Sequence, residues 1–399
     1  MADTRPTLLF YCQHSLGIGH LTRSFALVNA LAQAFRVVFL NGGRLPPGVP
    51  VPQDMELIDL PPLGMDDGHT VISRDATHDV LAAQLERRRL IDQAVAATQP
   101  AVLLVELFPF GRKKFAGEIL PLIRAARRQA VGPARVVCSL RDILVDARPD
   151  QQHHDNRARW LADRYFDAVL VHADPAFARL EDSFHPSQPM CAPVHYTGFV
   201  VPARVAEVPV RRGPQLLVSA GGGIAGGPLF DAVLAARQVM VDPLPLRIVA
   251  GPFLPQDQWH GLQQQTWGMA GVELVRHVPD MVAEMRRARA SLSQCGYNTA
   301  LDLVVAGVPA LVVPYETVTE NEQSQRAQRL ARLGVLRHLP TEQAHSPQVL
   351  ARALTDLQAF TPQPAALGLD GALRSTEILT RLVRAPRSVR NQESACTMP

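Results

Sequence analysis

The sequence predicts an α/β protein of two doubly wound parallel-sheet units, on three observations. Short β-branched runs alternate with helical stretches along nearly the whole chain, the pattern of parallel strands covered by helices on both faces. The alternation restarts after residue 214, and each half opens with a strand and a glycine-rich turn. The length of 399 residues, 47% of them apolar, exceeds one ordinary core and suffices for two. Ligands of open parallel sheets bind beyond the carboxyl ends of the strands, so two such units facing each other predict a central cleft.

In the first half, strands are expected at Thr7–Tyr11, Val37–Leu40, Ala101–Leu107, Ala134–Ser139 and Ala168–His172. Helices are expected at Leu21–Phe35, Asp79–Thr98, Phe115–Gln129 and Asn156–Tyr165. The second half places strands at Gln215–Ser219, Leu246–Ala250, Ala290–Ser293 and Pro309–Val313. Its helices fall at Pro228–Met240, Met281–Ala288, Thr299–Ala306 and Glu322–Leu333. Residues 201–214, rich in Pro, Val and Arg with no clear period, read as a linker. The expected division is 1–200, linker 201–214, 215–383, and a flexible polar tail at 384–399.

Charged residues are only 19% of the chain, which excludes a solvated disordered protein. Forty basic against 37 acidic residues leave +3, no global reason to bind nucleic acid. No run approaches the ~20 apolar residues of a membrane span, and the N-terminus lacks the apolar stretch of a secretory signal. The five cysteines are scattered, without C-x-x-C pairs or metal spacing. The expected setting is therefore cytoplasmic and reducing, with buried free thiols. One sharp basic cluster, Arg112-Lys113-Lys114, leaves room for peripheral contact with the inner face of a membrane, or for an acidic acceptor.

Three segments can carry chemistry. Gly17-Ile18-Gly19-His20-Leu21-Thr22-Arg23 joins the first strand to its helix. Its glycines permit close approach of a ligand, the helix start offers free N–H groups, and His20 supplies acid–base chemistry near neutral pH. The third glycine of a dinucleotide fingerprint is missing. Ser219-Ala220-Gly221-Gly222-Gly223 holds the matching place in the second half, where backbone N–H groups can cradle phosphate. No G-K-S/T follows, which excludes a Walker nucleotide hydrolase. The third segment runs from Ser293 through Gly296, Asn298, Thr299 and Asp302 to Glu322 and Gln323. Gly296, Asn298 and Thr299 stand at a helix start suited to phosphate. Asp302, one turn on, suits ribose hydroxyls, and Glu322 and Gln323 suit sugar hydroxyls.

The third segment resembles the donor-binding signature of the peptidoglycan N-acetylglucosaminyl transferase family, and the order of all three fits. The resemblance implies a GT-B fold: two Rossmann-like domains with the active site between them, the family 28-like glycosyltransferases. It implies that His20 is general base for the acceptor hydroxyl. It also implies that Gly17, Gly19, Gly221, Gly222, Gly223, Gly296, Asn298 and Thr299 surround the diphosphate. Asp302 would meet ribose where the family has glutamate, and Glu322 and Gln323 the sugar where it often has two glutamines. His277-Val278 matches the loop that meets the base, which implies uracil. Glu106, at a strand end, is a second candidate base, with His14, His69 and His172 behind it. Arg23, Arg112 and Arg141 are candidates for acceptor or phosphate. Segments such as Phe108–Arg112 and Ser139–Asp142 are similar to a group of predicted glycosyltransferases. G-H-x-x-R, ending in Arg23, is also similar to a nucleotide-sugar hydrolase of the same fold.

The expected activity is inverting transfer of a hexose or N-acetylhexosamine from a nucleotide-diphosphate sugar to an acceptor hydroxyl. The acceptor is left open among glycan, lipid-linked and small-molecule alcohols. The chain has no D-x-D pair, and neither metal nor cofactor is expected, because helix starts and backbone N–H groups can meet leaving-group charge. Nucleotide-sugar hydrolysis and non-catalytic nucleotide-sugar binding remain the alternatives.

Overall fold

A computed structural model describes residues 3–14, 19–46, 49–66, 70–202, 211–318 and 320–386. The first unit contains strands β1 (Thr7–Cys12), β2 (Arg36–Asn41), β3 (Met55–Asp59), β4 (Leu63–Met65), β5 (Val71–Ser73), β6 (Val102–Glu106), β7 (Arg135–Arg141), β8 (Ala168–His172) and β9 (Val194–Tyr196). Its helices are α1 (Gly19–Leu31), α2 (Val80–Thr98), α3 (Ala116–Arg127) and α4 (Gln151–Tyr165). The second unit contains β10 (Leu216–Ser219), β11 (Leu246–Val249), β12 (Val272–Val275), β13 (Ala290–Ser293), β14 (Ala310–Val312) and β15 (Arg337–His338). Helices α5 (Gly227–Val239), α6 (Gln256–Thr266), α7 (Met281–Arg287), α8 (Tyr297–Ala306), α9 (Glu322–Arg332), α10 (Thr341–Ala344) and α11 (Pro347–Leu357) surround it, and α12 (Gly371–Arg384) follows.

The two sheets repeat one design. The first runs β3-β2-β1-β6-β7-β8-β9 and the second β12-β11-β10-β13-β14-β15, with every pairing parallel. Strand order reverses between β1 and β6 in one and between β10 and β13 in the other. Such switch points open a crevice beyond the strand ends. The central strands are buried along their length, save Thr7 at the start of β1, as continuous apolar runs with helices on both faces should be.

The strands that the sequence reading omits are mostly edge or short ones. Met55–Asp59 is half exposed and lacks an apolar run, and Leu63–Met65 pairs with Val71–Ser73 in a small antiparallel hairpin. Helix α4 begins at Gln151, five residues before the expected start. Its first turns are polar, yet His154 and Asp155 are buried because Asp155 accepts from Gln151 Nε2 (2.7 Å) and the His185 N–H (2.8 Å).

One boundary is corrected. Residues 371–383 were expected with the second sheet, but α12 packs along α1 of the first. Ile378 and Leu379 enter the core cluster of Leu8, Phe10, Leu27 and Leu31. The chain returns by laying residues 368–371 beside 198–200. The Phe199 N–H donates to the Gly368 carbonyl (2.7 Å) and the Gly371 N–H to the Phe199 carbonyl (3.0 Å). Gly198 has φ +80°, and a Cβ there would lie 2.8 Å from the Gly368 carbonyl oxygen; no other residue fits. Most of the expected linker, 203–210, and of the tail, 387–399, lies outside the described residues.

The units are docked through α8 and α9. Arg326 on α9 pairs in fork geometry with Asp142 just after β7 (2.7 and 2.8 Å) and donates to the Cys295 carbonyl (2.9 Å). Both side chains are buried. Burial alone would raise the Asp142 carboxyl, but Arg326 outweighs it and holds it below the usual range. Around this pair, Asn321 donates to Asp146 (2.7 Å) and Arg329 to Asp182 (2.8 Å). Tyr297, the first residue of α8, donates its hydroxyl to the His172 carbonyl (3.0 Å) and accepts from the Val200 N–H (3.1 Å). Its ring lies under the guanidinium groups of Arg23 (5.3 Å) and Arg326 (5.9 Å). Removing one partner of a buried pair strands the other charge. Asp142→Ala is therefore expected to lower unfolding free energy by about 3 kcal/mol or more, read by urea denaturation. The double variant Asp142→Leu/Arg326→Met is expected to recover much of that loss; equal stability of Asp142→Ala and wild type would refute the role.

Candidate active site

The switch points of the two sheets bring the sequence-predicted residues together. Gly19 and His20 form the first turn of α1 beyond β1, and Glu106 ends β6. Across from them, Gly221–Gly223 turn out of β10, and Gly296 caps α8 beyond β13. Asn298 Nδ2 donates to the Gly19 carbonyl (3.2 Å), so the first turns of α1 and α8 touch. A Cβ on Gly221 would stand 3.3 Å from the Thr299 hydroxyl, which places the second glycine turn on the same helix start. Gly17 lies outside the described residues, as does His69.

His20 and Glu106 form a dyad. The imidazole Nδ1 lies 2.6 Å from Glu106 Oε1, which also accepts from Arg23 Nη2 at 2.6 Å. A carboxylate only accepts, so Nδ1 carries the proton and Nε2 keeps its lone pair. Burial lowers the imidazole pKa against the upward pull of Glu106, so the ring is neutral at pH 7. Glu106 itself would be raised by burial, but His20, Arg23 and Arg112 together hold it well below the ordinary range. The expectation that Glu106 is a second base is corrected. Its side chain is 0% exposed while His20 keeps 15%, so the carboxylate orients the imidazole instead of meeting an acceptor.

Arg23 is corrected in the same way. Its side chain is 1% exposed, held between Glu106 and the Tyr297 ring, and reaches no acceptor. Arg141 and Glu322, expected on an acceptor and on a donor sugar, meet each other across the units, with Nη1 2.8 Å from Oε1. Gln323 gives its side-chain oxygen to the N–H groups of Cys295 (2.9 Å) and Tyr315 (3.1 Å), tying the ends of β13 and β14. Arg112 reaches to 3.9 Å from Glu106 Oε2. His14 is buried and donates from Nε2 to Asn41 Oδ1 (3.0 Å). His172 is enclosed between the Ser139 hydroxyl (2.8 Å) and the Thr197 hydroxyl (2.9 Å). Neither faces the cleft as a base.

On the opposite wall the glycine turn is shaped by packing. Gly223 has φ +91°, and its Cβ would fall 2.3 Å from the Ala250 carbonyl oxygen. Gly251 (φ +92°) packs on Gly222, where a Cβ would fall 2.6 Å from the carbonyl. The sequence reading missed Gly251, although Ala250-Gly251-Pro252 after a strand is a turn signal. Gln294, also missed, donates to the Ala225 carbonyl (2.8 Å) and ties this turn to β13. Gly296 differs: its φ is −60° and a Cβ would meet nothing within 4 Å. Neither backbone nor packing demands glycine there, and the open helix start is left accessible. Asp302 sits half-buried one turn along α8, and His277 and Val278 extend beyond β12, His277 exposed and Val278 against the core.

With this geometry in place, comparison with known proteins is informative. Residues 253–371 match the glycosyltransferase family 28 C-terminal domain. Over 230 residues the chain is 26% identical to the UDP-N-acetylglucosamine–N-acetylmuramyl-(pentapeptide) pyrophosphoryl-undecaprenol N-acetylglucosamine transferase of Methylorubrum extorquens strain PA1, covering 55% of this chain and 60% of that one. The chain thus spans about three-fifths of that relative's length. Among solved structures, the MurG of Acinetobacter baumannii superposes with TM-score 0.56 at 16% identity, over 94% of this chain and all of that one. The calicheamicin glycosyltransferase CalG4 gives 0.56 at 18%, over 96% and 94%. The fold is GT-B, as the sequence predicts. The matched segment contains α8 and α9, and with them Gly296, Asn298, Thr299, Glu322 and Gln323.

The buried histidines set an acid dependence. His172 titrates at 6.5 when unfolded and is lowered by burial to about 3 when folded, and His20 moves the same way. Below pH 6.5 the unfolded chain therefore binds more protons, and stability falls as pH falls. The expected slope between pH 6 and 4 is about 1.4 kcal/mol per pH unit for each histidine. Urea unfolding across that range measures it; His172→Gln should remove its share of the slope, and an unchanged slope would contradict the assignment.

Proposed function

We propose that the protein is an inverting glycosyltransferase that moves a hexose or N-acetylhexosamine from a uridine-diphosphate sugar to an acceptor hydroxyl. The observation that carries this reading is the His20–Glu106 dyad standing against the open N-terminus of α8. Glu106 fixes the tautomer, so Nε2 accepts the acceptor's proton as the oxygen attacks the anomeric carbon. One direct displacement inverts that carbon. The leaving diphosphate gathers charge, which the N–H groups at the start of α8 and the turn at Gly221–Gly223 meet with aligned dipoles. Gly296, bare of a side chain, lets phosphate approach them. No metal is needed in this scheme.

The donor follows from the same wall. Asp302 is assigned to ribose, and His277 and Val278 to the uracil. The Methylorubrum relative's name specifies UDP-N-acetylglucosamine as donor and a pyrophosphoryl-undecaprenol-linked acceptor, which supports a UDP sugar here. No helix among the described residues is long and apolar enough to cross a membrane. A lipid-linked acceptor would be met peripherally, with Lys113 and Lys114 beside the cleft as the basic contact.

Titration calorimetry with UDP, GDP and dTDP tests the donor: UDP is expected to bind most tightly, and the absence of any nucleotide diphosphate binding would end the proposal. His20→Ala is expected to lower kcat by about 10²–10⁴-fold with UDP affinity retained. Because burial keeps the imidazole neutral, the pH profile of kcat/KM should show no acidic limb near 6.5. A limb there, lost in His20→Ala, would show an imidazole that titrates in its ordinary range. Release of free sugar at the catalytic rate without an acceptor would point instead to hydrolysis in the same cleft.

A further inference from the structure

We propose that Arg23 and Arg112 are positioning residues for the base: they bracket the Glu106 carboxylate so that His20 meets the acceptor hydroxyl with Nε2 unprotonated. The inference rests on the reading of His20 as base and deepens it. It also accounts for the arginine of the G-H-x-x-R motif, whose side chain is enclosed.

The motif sets the geometry. His20 and Arg23 stand at i and i+3 on α1, on one helix face, and Glu106 ends β6, the strand beside β1. Both side chains donate to one oxygen: His20 Nδ1 and Arg23 Nη2 each lie 2.6 Å from Glu106 Oε1. Arg112 approaches the other oxygen, its Nε 3.9 Å from Oε2. At that distance it acts by charge and not through a hydrogen bond. Both guanidinium groups are held. Arg23 lies over the Tyr297 ring at 5.3 Å, and the Tyr297 hydroxyl is fixed by the His172 carbonyl and the Val200 N–H. Arg112 leaves a left-handed backbone position (φ +58°) on a loop whose Phe108 and Phe110 are buried.

The charges behind the ring do not balance. One carboxylate faces two guanidinium groups, so the cluster is already positive by one. A proton on Nε2 would add a like charge in a place nearly closed to water, where repulsion is strong. Burial is the largest influence lowering the imidazole; Glu106 pulls it up, and Arg112 and Arg23 pull it down again. The other groups packed around the dyad add no charge. Burial keeps His14 and His172 neutral, and raises the Cys12 and Cys138 thiols and the Tyr297 phenol. Asp142 is taken by Arg326, and Asp59 is exposed at the far end of the His14–Asn41 chain.

With Glu106 alone behind it, the ring would gain a second proton and become the imidazolium of an ion pair, an acid where transfer needs a base. The two arginines prevent that in the resting enzyme. During transfer the acceptor's O–H bond breaks and its proton passes to Nε2. The oxygen's electron pair forms the new bond to the anomeric carbon as the bond to the leaving phosphate breaks. Glu106, still ionised, then steadies the imidazolium through Nδ1.

The test is the titration of the His20 ring in the full-length protein, labelled with ¹⁵N-histidine and followed by NMR between about pH 8 and 4. The His20 signals are assigned by their loss in His20→Gln. Wild type is expected to show the Nδ1–H tautomer and to stay neutral through the ordinary histidine range. Arg23→Gln and Arg112→Gln should each raise the proton affinity of Nε2 at least about ten-fold, and the double variant about a hundred-fold. Arg23→Lys and Arg112→Lys keep the charge and should stay near wild type. Thermal unfolding verifies that each variant is folded, and Arg112→Gln carries the test if Arg23→Gln does not fold. A wild-type ring that protonates near its unperturbed 6.5 overturns the inference. Glutamine variants that titrate like wild type, or like their lysine counterparts, overturn it too. UDP calorimetry on the same samples separates the two claims. Absence of UDP binding ends the glycosyl-transfer reading whatever the ring does, and UDP binding with an unshifted titration ends this inference alone.

Discussion

The site depends on the way Tyr297 and Arg326 lock one sheet onto the other. The Arg326–Asp142 pair is buried and bidentate, and Tyr297 sits between Arg326 and Arg23 with its hydroxyl spent on the His172 carbonyl and the Val200 N–H. Arg23 in turn holds Glu106, and Glu106 holds His20. A continuous chain of contacts thus runs from α8 and α9 to His20 on the opposite unit. The orientation of the imidazole is a consequence of docking, and a buried ion pair with fork geometry tolerates little misalignment. The return of α12 onto α1 ties the two units a second time.

Electrostatics in the cleft follow one rule: charge is buried behind the His20 imidazole, and the ring itself is neutral. Glu106 is ionised and wholly buried, Arg23 is wholly buried, and the ring they support is neutral. A neutral imidazole with a fixed tautomer is a competent proton acceptor at physiological pH, which a ring already protonated is not. On the facing wall the helix start of α8 presents partial positive charge without a mobile side chain. The Gly223–Gly251 contact packs the neighbouring turn backbone against backbone, so its N–H groups are held in place.

Much of the site was legible because its residues sit where local sequence fixes local structure. Gly19-His20 after β1, Gly221–Gly223 after β10 and Gly296-Tyr297-Asn298 after β13 each follow a strand run and open a helix, a pattern that period and turn chemistry expose. The arginines were legible only as positive charges. Whether Arg23 touches a ligand or supports Glu106, and whether Arg141 meets an acceptor or Glu322 some 180 residues away, is set by which side chains the fold juxtaposes. Burial had the same effect on Glu106: strand-end position suggested a base, and full enclosure made it an orienting group.

The sequence by itself determined the two-fold α/β design, the order of the strands' glycine turns and the histidine at the first of them, because these rest on contacts within a few residues of one another. Only the tertiary structure decided how those turns face each other and which carboxylate governs the histidine. It alone showed that α12 packs on the first sheet's side. Each of these depends on packing between segments far apart in the chain, where periodicity carries no information and the burial of a polar group is decided by whatever comes to lie against it.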